Sequence, residues 1–249
     1  MAFALTLIIC TIIVMACRNA IKRWPVALYV FALLCDVLLI IAQTGQLPRL
    51  LLMPTVLLMR RGGIGVALFV IVMYIGVLPR KSKVSRWLRP IRAELSIAAC
   101  LFVAGHMCTY LPLYLEPLFS GVLRGNVLLA LIVALGLLAL VLVLGITSFR
   151  FVKRHMKARS WKKLQNWAYL FYVLIYVHLM LMIGPAALAG KDPALTNAII
   201  YTVVFVGYMV LRVVRAAQDR RDKIDLAKTV ADQGFEDAET LLAEDGDVQ

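Results

Sequence analysis

The chain has 249 residues, 62% of them hydrophobic, with a mean hydropathy of +0.87 and a formal charge of +13. Soluble domains are roughly 45–50% apolar, so a water-soluble enzyme is excluded: a fold of this size has no means of hiding so much apolar surface. The basic charge sits in short clusters between apolar runs, not as a stripe on a polar surface, which excludes a nucleic-acid-binding protein.

A membrane-spanning helix needs about 20 mostly apolar residues. Apolar runs bounded by basic or Pro/Gly loops are read at residues 2–17, 25–43, 62–79, 94–114, 125–148, 164–187 and 196–214. This predicts an all-α fold, a polytopic membrane helix bundle of about seven transmembrane helices (six plus one) within residues 1–218. Between the second and third runs, residues 47–59 (LPRLLLMPTVLLM) are too short to cross and are interrupted by Pro54. They are expected at the outer interface as an amphipathic or re-entrant piece. Residues 219–249 carry ten of the fourteen acids. They read as a helical exit followed by a charged, largely disordered cytoplasmic tail.

Two loops are densely basic: Arg80, Lys81, Lys83, Arg86, Arg89 and Arg92 in one, and Arg150, Lys153, Arg154, Lys157, Arg159, Lys162 and Lys163 in the other. The loops that alternate with them carry only Arg124 and only Lys191. Because Lys and Arg are retained on the cytoplasmic side, the amino end is expected outside and the carboxyl end inside, in the inner (cytoplasmic) membrane. Arg212, Arg215, Arg220 and Arg221 after the last run agree. The five cysteines fall inside apolar runs without metal-site spacing and read as small packing residues.

Two of the three histidines, His106 and His178, fall within the fourth and sixth runs. Ionisable groups in hydrocarbon are costly and so mark function by default. Counted from Glu94 and Leu164 at a rise of about 1.5 Å per residue, His106 lies about 18 Å and His178 about 21 Å along its helix. The two imidazoles therefore reach nearly one depth, in the outer half of the bilayer. Such a pair either grips one haem iron from its two axial sides or makes two separate interhelical hydrogen bonds. His155 lies in a basic loop and is expected to be solvated.

Two stretches carry a resemblance. Residues 146–178, ITSFRFVKRHMKARSWKKLQNWAYLFYVLIYVH, resemble the signature of ferric-reductase-like transmembrane domains, which runs roughly TS…W+rLHrlaYl…H, with Trp161, Lys163, Leu164, Tyr169 and His178 in register. Residues 88–115, LRPIRAELSIAACLFVAGHMCTYLPLYL, are similar to that family's preceding His-bearing helix. Together with the loops between, they cover spans four to six, about a third of the chain. Within the family the chain looks most like the small haem-binding membrane subunits that pass electrons to a periplasmic molybdenum-dependent (methionine) sulfoxide reductase.

The resemblance implies one b-type haem, in the outer half, with His106 and His178 as axial ligands of its iron. Where the family usually has a second histidine this chain has Gln165, and the partner positions of two-haem relatives are Ala93 and Arg92. Those residues are not ordinary axial ligands, so the inner haem is expected to be missing.

Other polar residues have weaker claims. Arg49, Arg60, Arg61 and Arg124 lie near the outer face, where a guanidinium either binds haem propionates or snorkels to headgroups. Asp36, mid-run in LLCDVLL, either takes up protons at a quinol site or pairs with a neighbour.

The expected function is that of a membrane b-type cytochrome subunit, not catalytic alone. It would carry electrons from a membrane quinol or a flavin donor, with quinone or flavin as a further cofactor, to an extracytoplasmic oxidoreductase partner. The rival expectation is a haem-free transporter or assembly protein that retains the fold.

Overall fold

A computed structural model describes residues 2–79 and 82–246. Among them every regular element is helical: α1 (Ala2–Ala16), α2 (Arg18–Arg23), α3 (Pro25–Gln43), α4 (Arg49–Met59), α5 (Gly63–Val77), α6 (Lys83–Leu88), α7 (Arg92–Phe119), α8 (Gly125–Ile146), α9 (Arg150–Arg154), α10 (Ala158–Gln165), α11 (Trp167–Leu188) and α12 (Ala194–Gly246). Five helices are long and apolar enough to cross a membrane, within Pro25–Gln43, Lys83–Phe119, Gly125–Ile146, Ala158–Leu188 and Ala194–Asp222. Phe3–Ala16 and Gly63–Val77 are shorter apolar helices. The predicted apolar runs each correspond to one of these seven.

Burial explains the arrangement. α5 is apolar on every side and buried from Gly65 through Met73, so it fills the bundle interior. It packs against α7 and α1, while α3 lies on α7 and α8 on α11. The peripheral helices bury only a stripe: α3 hides Ala32, Asp36 and Leu39 and leaves Val26, Phe31, Leu34 and Val37 exposed. Large side chains of α8 and α11, such as Ile132, Leu142 and Leu170, are exposed too. An apolar surface this continuous is incompatible with water and matches lipid, so the chain is a multi-pass membrane protein.

Sequence order alone left the 47–59 piece open between an interfacial and a re-entrant form. In the structure α4 dips into the bundle: Met59 at its end is buried, and the chain breaks over Arg60–Gly62 beside His106, fifteenth of the 28 residues of α7. From the break α5 runs antiparallel to α7, with Gly65 beside Ala99 and Val103 and Gly76 beside Arg92.

The described bundle runs through Val206, and the described residues from Gly207 onward form a second compact unit. That second unit is helical through Gly246. Its composition allows this: from Gly207 to Ala243 there is no proline, and charges a turn apart pair, as Arg215 and Asp219 do at 2.9 Å. Residues 247–249 lie outside the described residues.

Candidate functional site

A cavity of about 450 Å³ opens inside the bundle, within the roughly 300–1,000 Å³ usual for small-molecule and cofactor sites. α8 contributes one face at helical spacing, from Val127 through Ala130 and Ala134 to Leu138, and α11 another, from Phe171 through Ile175 and Leu179 to Ala186. Both histidines of the expected pair line it, His106 from α7 and His178 from α11. The tertiary structure thus brings together two residues 72 positions apart.

The two rings are held differently. Nδ1 of His178 lies 3.0 Å from the carbonyl oxygen of Ala130 on α8. A carbonyl only accepts, so Nδ1 carries the proton and Nε2 keeps its lone pair. Fixing one ring nitrogen on a carbonyl to leave the other as a donor is the usual arrangement of a metal-bound histidine. His106 packs at 4.7 Å between ring centroids on Tyr110, one turn further along α7. Its Nδ1 is buried without a hydrogen-bond partner, which is costly unless a ligand or water completes it.

The His106 ring also lies against Gly62, where a built Cβ would be 3.5 Å from Cγ of the imidazole. Gly62 has φ +69°, a left-handed conformation open to glycine. Arg61 before it also has a left-handed φ, +66°. For a side-chain-bearing residue this is a strained conformation of the kind that gathers at ligand sites.

The remaining candidates divide. Arg49, Arg61 and Arg124 are all exposed, but of the three only Arg61 lines the cavity. The side chain of Arg60 is outside what the structure describes. Asp36 is 6% exposed, on α3, and does not line the cavity. It packs on Gly105, the residue before His106, and its Oδ1 has no hydrogen-bond partner. His155 is exposed, with Nδ1 2.8 Å from the carbonyl oxygen of Phe151.

Where a second histidine pair would sit, the residues are engaged with each other. Gln165 donates through Nε2 to Oγ1 of Thr147 at 3.3 Å, and Trp161 donates through Nε1 to the carbonyl of Thr147 at 3.0 Å. Nζ of Lys153 lies 4.2 Å from the centre of the Trp161 ring. Glu94, buried at the start of α7, accepts hydrogen bonds from the Tyr29 hydroxyl and, at 2.8 Å, from the Arg150 guanidinium.

Sequence reasoning did not single out Tyr110, Ala130, Gly62 or Tyr29. Only Gly62 had a signal, the Arg-Arg-Gly-Gly turn composition after α4. A backbone carbonyl that orients a ring has no signature at all.

Among the described residues no three His, Cys, Asp or Glu side chains converge. A metal at the two-imidazole site would therefore bring most of its coordination sphere with it. The site defines the class of protein: an all-helical membrane bundle with a paired-imidazole, largely apolar cavity.

No family model matches the chain, and no solved structure does. It is similar to a protein of Treponema pallidum (strain Nichols) described as an uncharacterized protein, with 36% identity over 171 residues. The match covers 68% of this chain and 47% of that protein, so the chain spans about half the length of the relative.

Proposed function

We propose that the chain is a membrane electron-transfer subunit that holds one b-type haem between His106 and His178. The observation that carries this reading is the convergence of both imidazoles on one apolar cavity, one ring oriented through Ala130 and the other with a buried, unpartnered nitrogen. A bis-imidazole haem, when bound, supplies one-electron transfer without opening an iron position to substrate. His178 presents Nε2 because its Nδ1–H donates to the Ala130 carbonyl. His106 is held in place by Gly62 and Tyr110, and the leucine, valine and phenylalanine walls exclude water.

Seven crossings with the amino end outside fit the charge distribution. Arg18 donates to the Trp87 carbonyl at 3.1 Å, and Glu94 joins Arg150, so α2, α6 and α9 with their basic residues gather at one end of the bundle. By the positive-inside rule that end is cytoplasmic, and His106 lies at the middle of α7. The proposed path runs from a membrane quinol or a flavin donor to an extracytoplasmic oxidoreductase.

The test is the absorption spectrum of protein purified after expression with ample haem. A Soret band and, on dithionite reduction, a sharp alpha band are expected. Both should be lost in His106→Ala and in His178→Ala and kept in His155→Ala. A colourless wild-type protein, or a normal spectrum in either of the first two variants, defeats the reading.

A further inference from the structure

The cavity has two unlike ends. At one, Phe69 and Phe171 meet edge-to-face at 4.8 Å, beside Val66, Leu137 and Leu138. At the other, beyond His106, lie the polar groups of Thr6, Tyr110, Tyr114, Asn197 and Tyr201, and the guanidinium of Arg61. Among the described residues Arg61 is the one Lys or Arg that lines the cavity, and no acidic residue among them lines it. Of the ion pairs among the described residues, Glu94–Arg150 and Arg215–Asp219, neither includes it. The backbone that carries Arg61 is the left-handed break between α4 and α5, so the chain spends conformational strain to set a cation at the rim of an apolar chamber. A cation so placed recognises an anion borne by an otherwise apolar ligand.

We propose that Arg61 binds the carboxylate edge of the ring-shaped ligand held by His106 and His178, and so determines which way round that ligand sits. Its acid groups face the α4–α5 break and its apolar edge faces Phe69 and Phe171. The assignment rests on the haem reading above. It separates Arg61 from Arg49 and Arg124, which the outer-face position alone does not distinguish.

The experiment titrates purified apoprotein in detergent with haem and with haem dimethyl ester, whose carboxylates are capped, following the Soret band. Wild type is expected to bind the free acid about tenfold more tightly or better, the size of one hydrogen bond to a charged group. Arg61→Gly relieves the left-handed backbone, so its folding and yield should hold while its preference for the acid falls toward one. Arg61→Lys should retain part of the preference, and Arg124→Ala all of it. A preference unchanged in Arg61→Gly, or equal binding of acid and ester by wild type, overturns the role of Arg61 and leaves the haem reading standing. Failure of wild type to bind either compound overturns both.

Discussion

Asp36 of α3 occupies the space beside Gly105 of α7 that a side chain there would fill: a Cβ built on Gly105 overlaps the Asp36 carboxyl and lies 2.6 Å from its Cβ. The carboxyl can rotate, but Cβ cannot move without moving α3. The contact therefore sets how closely α3 approaches α7 at the turn that carries His106.

Gly105→Ala is accordingly expected to destabilise the bundle by about 1–3 kcal/mol, the usual cost of overpacking, although alanine is the better helix former by up to about 1 kcal/mol. Thermal unfolding in detergent measures it. Asp36→Ala in the same chain should recover part of the loss, since it removes the carboxyl but not Cβ. Strict additivity of the two substitutions would mean that the helices do not meet there.

The Glu94 cluster makes an asymmetric prediction. The side chain of Arg150 is 81% exposed and that of Glu94 is 7% exposed. Arg150→Ala removes a guanidinium that is itself mostly solvated, about 1 kcal/mol or less, and leaves the buried Glu94 carboxylate its Tyr29 partner. Glu94→Ala also strands the part-buried Tyr29 hydroxyl, at about 1–3 kcal/mol. The unfolding midpoint should drop further in Glu94→Ala, and the reverse order would contradict the burial pattern.

On the proposed haem reading, a histidine placed at position 165 should not add a second haem. In Gln165→His the new ring meets Thr147 and Trp161, and the positions that would have to supply its partner remain Ala93 and Arg92. A pyridine haemochrome assay of the variant should return the same haem-to-protein ratio as wild type. A doubled ratio would show that the inner end can open.

Orientation is testable without any cofactor. In a background with all five cysteines replaced, Ser160→Cys in α10 and Ser120→Cys after α7, both exposed positions, should be labelled by a membrane-impermeant maleimide from opposite sides. Ser120→Cys is expected to react in intact spheroplasts and Ser160→Cys in inverted vesicles. Reaction of both from one side would overturn the topology.

Membrane residence and the apolar helices follow from the sequence by itself, because hydropathy is a property of the chain taken one helix at a time, and the expectation of one depth for His106 and His178 is read in the same way from a rise of about 1.5 Å per residue. Which way a ring faces is not such a property. The convergence of His106 and His178 on one cavity, the carbonyl of Ala130 that orients His178 and the seat of His106 on Gly62 depend on helix rotation and on contacts between distant segments. The same holds for the arginines: Arg49, Arg61 and Arg124 look alike in sequence, and Arg61, at the break between α4 and α5, is the one of the three that lines the cavity. The depth of a residue is written along its own helix, whereas its neighbours are decided by how the helices pack.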